Sequence, residues 1–246
     1  MRSLIVRALG VVGASLAAMW GPSLAAPADP APAPTTRPVP PGWVMIKIQM
    51  PKPAFAGTPK QVPPNTTVDP KAPPSWPFAA PEGAKNLALK KPVTSSDENP
   101  IIGNLSLVTD GDKEATDGSW VELAPMVQWV QIDLKEEAAI YGIVFWHYHG
   151  EARVFRDVVV QVSNDRDFIT GVTTLFNNDQ DNSAGLGKGD EREYFELADG
   201  KLVEAKGAQA RYVRLYSNGS TSDTQNLYTE VEVWGVPAKE AKAAAK

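Results

Sequence analysis

Val158-Val159-Val160-Gln161-Val162-Ser163 alternates with a period of two. Val158, Val160 and Val162 form one set, and Val159, Gln161 and Ser163 form a wetter one. Tyr212-Val213-Arg214-Leu215-Tyr216 behaves the same way, with Val213 and Leu215 opposite Tyr212, Arg214 and Tyr216. Successive side chains of a strand point to opposite faces. Each segment therefore predicts a strand with one dry and one wet face, as the layers of a β-sandwich have.

Working outward from these two, further strand-like runs lie near Gln128–Leu134, Ile140–His149, Arg156–Ser163, Thr173–Phe176, Tyr194–Leu197, Ala210–Tyr216 and Tyr228–Trp234. Shorter ones fall near Ala88–Thr94 and Ser106–Thr109. Turn chemistry separates them: Asp110-Gly111-Asp112, His149-Gly150, Asn164-Asp165, Asn177 to Gly189, Asp199-Gly200 and Asn218-Gly219. No segment sustains a helical period. Many short strands at this spacing predict an all-β sandwich.

Of the 22 prolines among the 246 residues, 18 lie at or before Pro81. Proline has no backbone donor and fixes φ, so that stretch reads as a Pro-rich linker or extended arm over 26–83. Inside it, Trp43-Val44-Met45-Ile46-Lys47-Ile48-Gln49-Met50 alternates like a strand that lies along an edge of the sandwich. Residues 84–237 form the unit that can bury a core. At about 150 residues it needs no crosslinks, and the chain has no cysteine to make them. The tail 238–246 is too short to be a stable helix alone and is read as disordered.

Residues 1–25 read as an export signal. Arg2 and Arg7 precede an apolar run from Ala8 to Trp20, and Ser23-Leu24-Ala25 places small residues for cleavage after Ala25. The run is too short and interrupted to span a membrane well, so no membrane insertion follows cleavage. The expected location is secreted or periplasmic. The net charge of −5 becomes −7 without the two arginines. An acidic chain lacks the clustered cations that nucleic acid or anionic lipid requires.

The order of segments resembles the discoidin family, the coagulation factor V/VIII type C domains, and is similar to the family 32 carbohydrate-binding modules. Asn86 to Thr94 resembles the opening strand, and Val108-Thr109-Asp110-Gly111-Asp112 the early Asp-Gly-Asp loop. Gln128-Trp129-Val130-Gln131-Ile132-Asp133-Leu134 resembles the central strand. Arg211 to Leu215 and Glu230 to Gly235 resemble the closing strands. The resemblance implies a galactose-binding-like jelly-roll β-sandwich of about eight main strands, preceded here by the Pro-rich arm. It fixes no function, because members bind glycans, phospholipids or proteins.

The resemblance also implies a structural calcium site at Asp110 and Asp112, with Thr116 and Ser119 downstream and Glu230 closing it, helped by a backbone carbonyl such as that of Thr229. Ca²⁺ takes six to eight hard oxygens, and these residues supply that type. The alternative is a metal-free turn capped by the aspartates. His147 and His149, the chain's two histidines, share a strand face about 7 Å apart. With Arg153 they are candidates to hydrogen-bond sugar hydroxyls, and Trp120 and Tyr228 to stack on the ring. The alternative is a packed His147 and a hairpin in which Arg153 and Arg156 pair with Glu151 and Asp157. Asn177 to Arg192 reads as a polar surface loop.

No nucleophile, base and orienting group occur in a favoured arrangement, so the chain is expected not to be an enzyme. It reads as a module for carbohydrate, cell-wall or extracellular polysaccharide. The second reading is a structural or protein-interaction module that pairs with an extracellular protein through its arm by strand addition.

Overall fold

The computed structural model describes residues 39–72 and 77–240. The expected export signal over 1–25 and residues 26–38 lie outside the described residues, as does the end of the tail from residue 241. Among the described residues there are ten strands: β1 (Trp43–Met45), β2 (Ala79–Pro81), β3 (Lys85–Asn86), β4 (Val93–Ser95), β5 (Val121–Leu123), β6 (Gln128–His147), β7 (Val159–Ser163), β8 (Thr173–Asn177), β9 (Lys201–Ser217) and β10 (Asn226–Pro237). Their ladders are antiparallel. The order is β3-β10-β6-β9-β7-β8, with β4 on β6 and β5 on β10. No helix among the described residues is long and apolar enough to cross a membrane.

β6 and β9 run side by side along most of their lengths. Gln128 to Asp133 pairs with Ser217 to Tyr212, and Ala138 to Phe145 with Ala210 to Lys201, across a register shift between Asp133 and Ala138. The sequence pattern splits β6 in two, because Lys135-Glu136-Glu137 has the charge and exposure of a turn. It is instead a bulge, with Lys135 at φ 74°, where an inserted stretch bends the strand without ending the ladder. Lys206 (φ 52°) and Gly207 (φ 84°) bend β9 farther along, at the second register shift, between Ile140 and Gly142. Val130, Ile132, Val160, Val213 and Leu215 from one half pack with Ile140, Ile143, Phe145, Val231 and Val233 from the other, all buried. Each such side chain contributes about 1.5–3 kcal/mol by leaving water.

Three local readings change. Tyr194–Leu197 joins no ladder: Phe195 and Glu196 are buried, and Glu196 N–H donates to the Arg153 carbonyl. The front half of β9 supplies the strand there instead. Leu105–Thr109 is a 3-10 turn capped by Asn104, whose side chain accepts from Ser106 N–H at 3.1 Å. The face expected to be wet is covered. Gln161, Arg214, Tyr212 and Tyr216 are all buried. The Arg214 guanidinium lies 4.2 Å from the Trp129 ring and 4.1 Å from that of Phe168, and it donates to Gln131 Oε1. Flanking aromatics and a side-chain acceptor let this cation sit dry.

The segment before Gly83 is laid on the sandwich. β1 pairs with β2, Trp43 opposite Pro81 and Met45 opposite Ala79, rather than with an edge of the main sheet. Ile46, Phe78 and Ala80 bury against Val144, Trp146 and Leu202, a second core on the outer side of the sheet. A β-carbon at Gly142 would meet the Phe78 ring at 2.6 Å, so the glycine is what allows the ring to seat.

Candidate functional site

The Asp-Gly-Asp loop lies against the start of the last strand. Gly111 N–H donates to Glu230 Oε2 at 3.1 Å. Asp110 Oδ1 accepts from Asp112 N–H, and Asp112 Oδ1 from Glu114 N–H. Ser119 Oγ donates to Asp112 Oδ2 at 2.9 Å and lies 3.1 Å from Thr116 Oγ1. The five residues Asp110, Asp112, Thr116, Ser119 and Glu230 thus share one locality. Glu230 is fully buried. Burial pushes its carboxyl up to about 9, with the charges of Glu232 and Asp110 adding to the shift and Gly111 N–H and Lys113 opposing it. Its Oε1 and the neighbouring Thr229 Oγ1 have no hydrogen-bond partner. Buried oxygens left unmatched beside aspartates fit a hard cation that takes oxygen ligands.

The histidines part company from the expected sugar contacts. His147 has no exposed surface. It stacks on Phe155 (4.2 Å between ring centres), packs against Tyr228 at 4.7 Å, and binds Glu196 Oε2 through Nδ1 at 3.0 Å. Tyr228 is equally buried, its hydroxyl 2.9 Å from Ser217 Oγ, and burial raises that phenol well above its ordinary range. Both therefore belong to the core. His149 is also buried and donates from Nε2 to the Lys113 carbonyl at 2.8 Å. That carbonyl is part of the loop carrying Asp112, so His149 anchors the loop.

Trp120 and Arg153 do meet, and other residues join them. Trp120 enters β5, Tyr148 follows β6, and their half-buried rings pack edge-on at 4.7 Å. The Arg153 guanidinium lies 4.8 Å from the Tyr148 ring centre. It is only 3% exposed, donates to Asp223 Oδ2 at 2.8 Å from Nη1, and pairs with Glu151 through Nη2. Glu122 on β5 adds a third carboxylate. Burial raises it, the charge of Asp223 raises it further, and Arg153 opposes. Ile102, exposed, lies opposite Glu122. Tyr148 depends on Gly150, where a β-carbon would collide with its hydroxyl. The result is an aromatic pair edged by one guanidinium and three carboxylates. Glu122 and Asp223 escape the sequence reading, being ordinary acids on separate segments. Glu151 and Tyr148 are visible beside Arg153, and the Arg153–Glu151 pair is the one the sequence pattern expects. Asp157 instead accepts from Ser183 Oγ and Asn218 Nδ2.

One further carboxylate trio, Asp157, Asp179 and Asp181, gathers its oxygens within 4.8 Å among the described residues. Asp179 is buried, and its two oxygens accept from Ser183 and Ala184 N–H. It ties the 177–192 loop together.

No curated protein matches the chain. Solved structures that it resembles include the chitosan-binding module 1 derived from a chitosanase/glucanase from Paenibacillus sp. IK-5 (22% identity, 61% of this chain and 99% of that one, TM-score 0.41). A fucose-binding module from Streptococcus pneumoniae, SpX-3, is similar at 16% identity over 61% and 96%, with a TM-score of 0.43. The CBM32 of AlyQ, in complex with 4,5-unsaturated mannuronic acid, is similar at 18% over 58% and 92%, again at 0.43. The sequence profile of the F5/8 type C domain matches residues 92–231.

Proposed function

The chain belongs to the F5/8 type C domain family, and on that premise we propose that it is an exported, non-catalytic module that binds carbohydrate on the Trp120–Tyr148 patch. The observation that carries this reading is the aromatic pair with Arg153 against the Tyr148 ring and carboxylates around it. A pyranose offers apolar C–H groups on one face and hydroxyls that both donate and accept around its edge. The rings take the C–H face. Arg153 holds the Asp223 and Glu151 carboxylates in place, and the carboxylates of Glu122, Glu151 and Asp223 accept from hydroxyl hydrogens. Asp223 and Glu151 are already engaged with Arg153, which suits fixed acceptors better than groups that must exchange a proton.

In this reading His149 positions the loop leading to Trp120, while His147 and Tyr228 support the patch from the core. The calcium proposal rests on Asp110, Asp112, Thr116, Ser119 and Glu230, with the unmatched Glu230 Oε1 as its support. Bound there, calcium would supply charge compensation and stiffness, not chemistry. Export is supported by the Arg2/Arg7 and Ala8–Trp20 pattern ending at Ala25. The test is a glycan and polysaccharide screen with the full chain, with calcium and with chelator. Binding abolished by Trp120→Ala at an unchanged melting temperature supports the reading. A broad panel with no binder overturns it and leaves a protein-interaction module as the function to pursue.

A further inference from the structure

The edge of the Trp120–Tyr148 patch carries more negative charge than its cation offsets. Glu122, Glu151 and Asp223 stand against Arg153 alone. Arg153 is sequestered, at 3% exposure, and divided between Asp223 and Glu151. That leaves Glu122 without an ion pair. Its carboxyl is raised first by burial and then by the charge of Asp223, with Arg153 only partly opposing. Lys113, on the loop that leads into Trp120, is committed to Glu232 at 2.8 Å and lies against Trp146. The described residues therefore place no second free cation among the ion pairs at this edge.

Two further features point to a ligand rather than to a solvated acidic surface. Arg153 Nε and Trp120 Nε1 are buried without a hydrogen-bond partner, so two donors next to the patch are left unmatched by the protein. The Tyr148 ring already holds one cation, the Arg153 guanidinium at 4.8 Å, so the aromatic pair accommodates positive charge as well as C–H groups. A ligand that complements all of this carries hydroxyls, a ring face and a positive charge.

We propose that the patch selects saccharides bearing a free amino group, such as glucosamine units, over their N-acetylated counterparts and over uronic-acid chains, with Glu122 and Asp223 receiving the ammonium. This rests on the carbohydrate reading of the same patch and narrows it. An ammonium adds an ion pair to the hydrogen bond that the Glu122 carboxylate accepts, where an acetamide N–H or a hydroxyl brings only a dipole. An acetamide presents no charge there. A uronate brings a like charge to a surface where Arg153 is already paired with two carboxylates, which disfavours it.

The experiment is calorimetric titration of the full chain with glucosamine, N-acetylglucosamine and uronate oligomers of equal length at fixed ionic strength. The expected result is binding of the amino form about tenfold tighter than the acetylated form, with uronates weakest. Glu122→Gln should close that gap without moving the melting temperature. Glu136→Gln, which removes an exposed acid outside the patch, should not. Equal binding of amino and acetylated oligomers, abolished by Trp120→Ala, overturns the selectivity and leaves the carbohydrate reading standing. A gap that shrinks equally in Glu136→Gln also overturns it, since the attraction is then bulk charge. Failure of all three oligomers while another glycan of the broad panel binds overturns the selectivity alone, and failure of the whole panel overturns both.

Discussion

His149 and Lys113 are joined by one hydrogen bond, Nε2–H to the backbone carbonyl at 2.8 Å. It links the residue after Tyr148 to the loop that ends at Trp120, so it couples the two halves of the aromatic pair from behind. His149→Ala leaves a carbonyl unmatched, at a cost of about 1–3 kcal/mol. We expect faster amide exchange across Lys113–Ser119 and weaker saccharide binding together. Unchanged exchange in that loop would show that the bond does not anchor it.

Residues 147 and 120 should separate stability from binding. His147→Ala strands Glu196, buried at 3.0 Å from the imidazole, and should lower stability by about 3 kcal/mol. Affinity measured well below the melting temperature should stay the same. Trp120→Ala should do the reverse, losing about 2 kcal/mol of binding, near thirtyfold. Paired melting curves and titrations decide it.

The fold is readable in the sequence because the alternation in Val158–Ser163 and Tyr212–Tyr216 is strict on the apolar side. Val158, Val160, Val162, Val213 and Leu215 are all buried. The same pattern does not show that Gln161, Arg214, Tyr212 and Tyr216 are buried too, since Arg214 is dry only because Trp129 and Phe168 converge on it from other segments. The site is legible in the same proportion. Trp120 and Arg153 stand out by local chemistry and do meet. His147 and Tyr228 stand out by the same chemistry, but they occupy the inward set of strands β6 and β10. Glu122 and Asp223 gain their role from each other across segments far apart in the chain, a relation no local pattern records.

Removing residues 39–81 should uncover Val144, Trp146 and Leu202, which Ile46, Phe78 and Ala80 cover. We expect lower thermal stability and a gain in dye binding to exposed apolar surface. Phe78→Ala alone should cost about 3 kcal/mol, and Gly142→Ala should reproduce the effect by unseating that ring. A truncated chain that melts like the full one would show that the segment contributes nothing to the fold.

Acid should weaken one corner of the sandwich. Arg211 donates to both oxygens of Asp133, at 2.8 and 3.0 Å, and this holds the Asp133 carboxyl well below the usual range. A depressed folded-state pKa gives stability that is complete above the ordinary aspartate value of about 4 and fades as pH falls below it. Asp133→Asn should therefore lower the melting temperature at pH 6 and flatten its decline below pH 4. A parallel decline in both proteins would assign the acid sensitivity elsewhere.

Calcium at a hundredfold excess over its dissociation constant should stabilise the chain by about 2.7 kcal/mol, since it would bind the folded form alone. Glu230→Gln should abolish that increment. Glu196→Gln, which alters a carboxylate away from the Asp-Gly-Asp loop, should keep it. The check is melting with calcium and with chelator. An increment that survives Glu230→Gln would move the ion away from the Asp-Gly-Asp loop.

Trp43 stands opposite Pro81, and Glu82 N–H donates to the Gly42 carbonyl at 2.8 Å. The segment from Val39 to Gly83 therefore returns to where it starts. Drawn out as a polyproline spacer at about 3.1 Å per residue, it would reach on the order of 140 Å. Folded, its two paired ends are about 5 Å apart, the distance between neighbouring strands. As a leash it has almost no length. The segment from Val39 to Gly83 thus adds almost nothing to the reach of a tether that enters ahead of it.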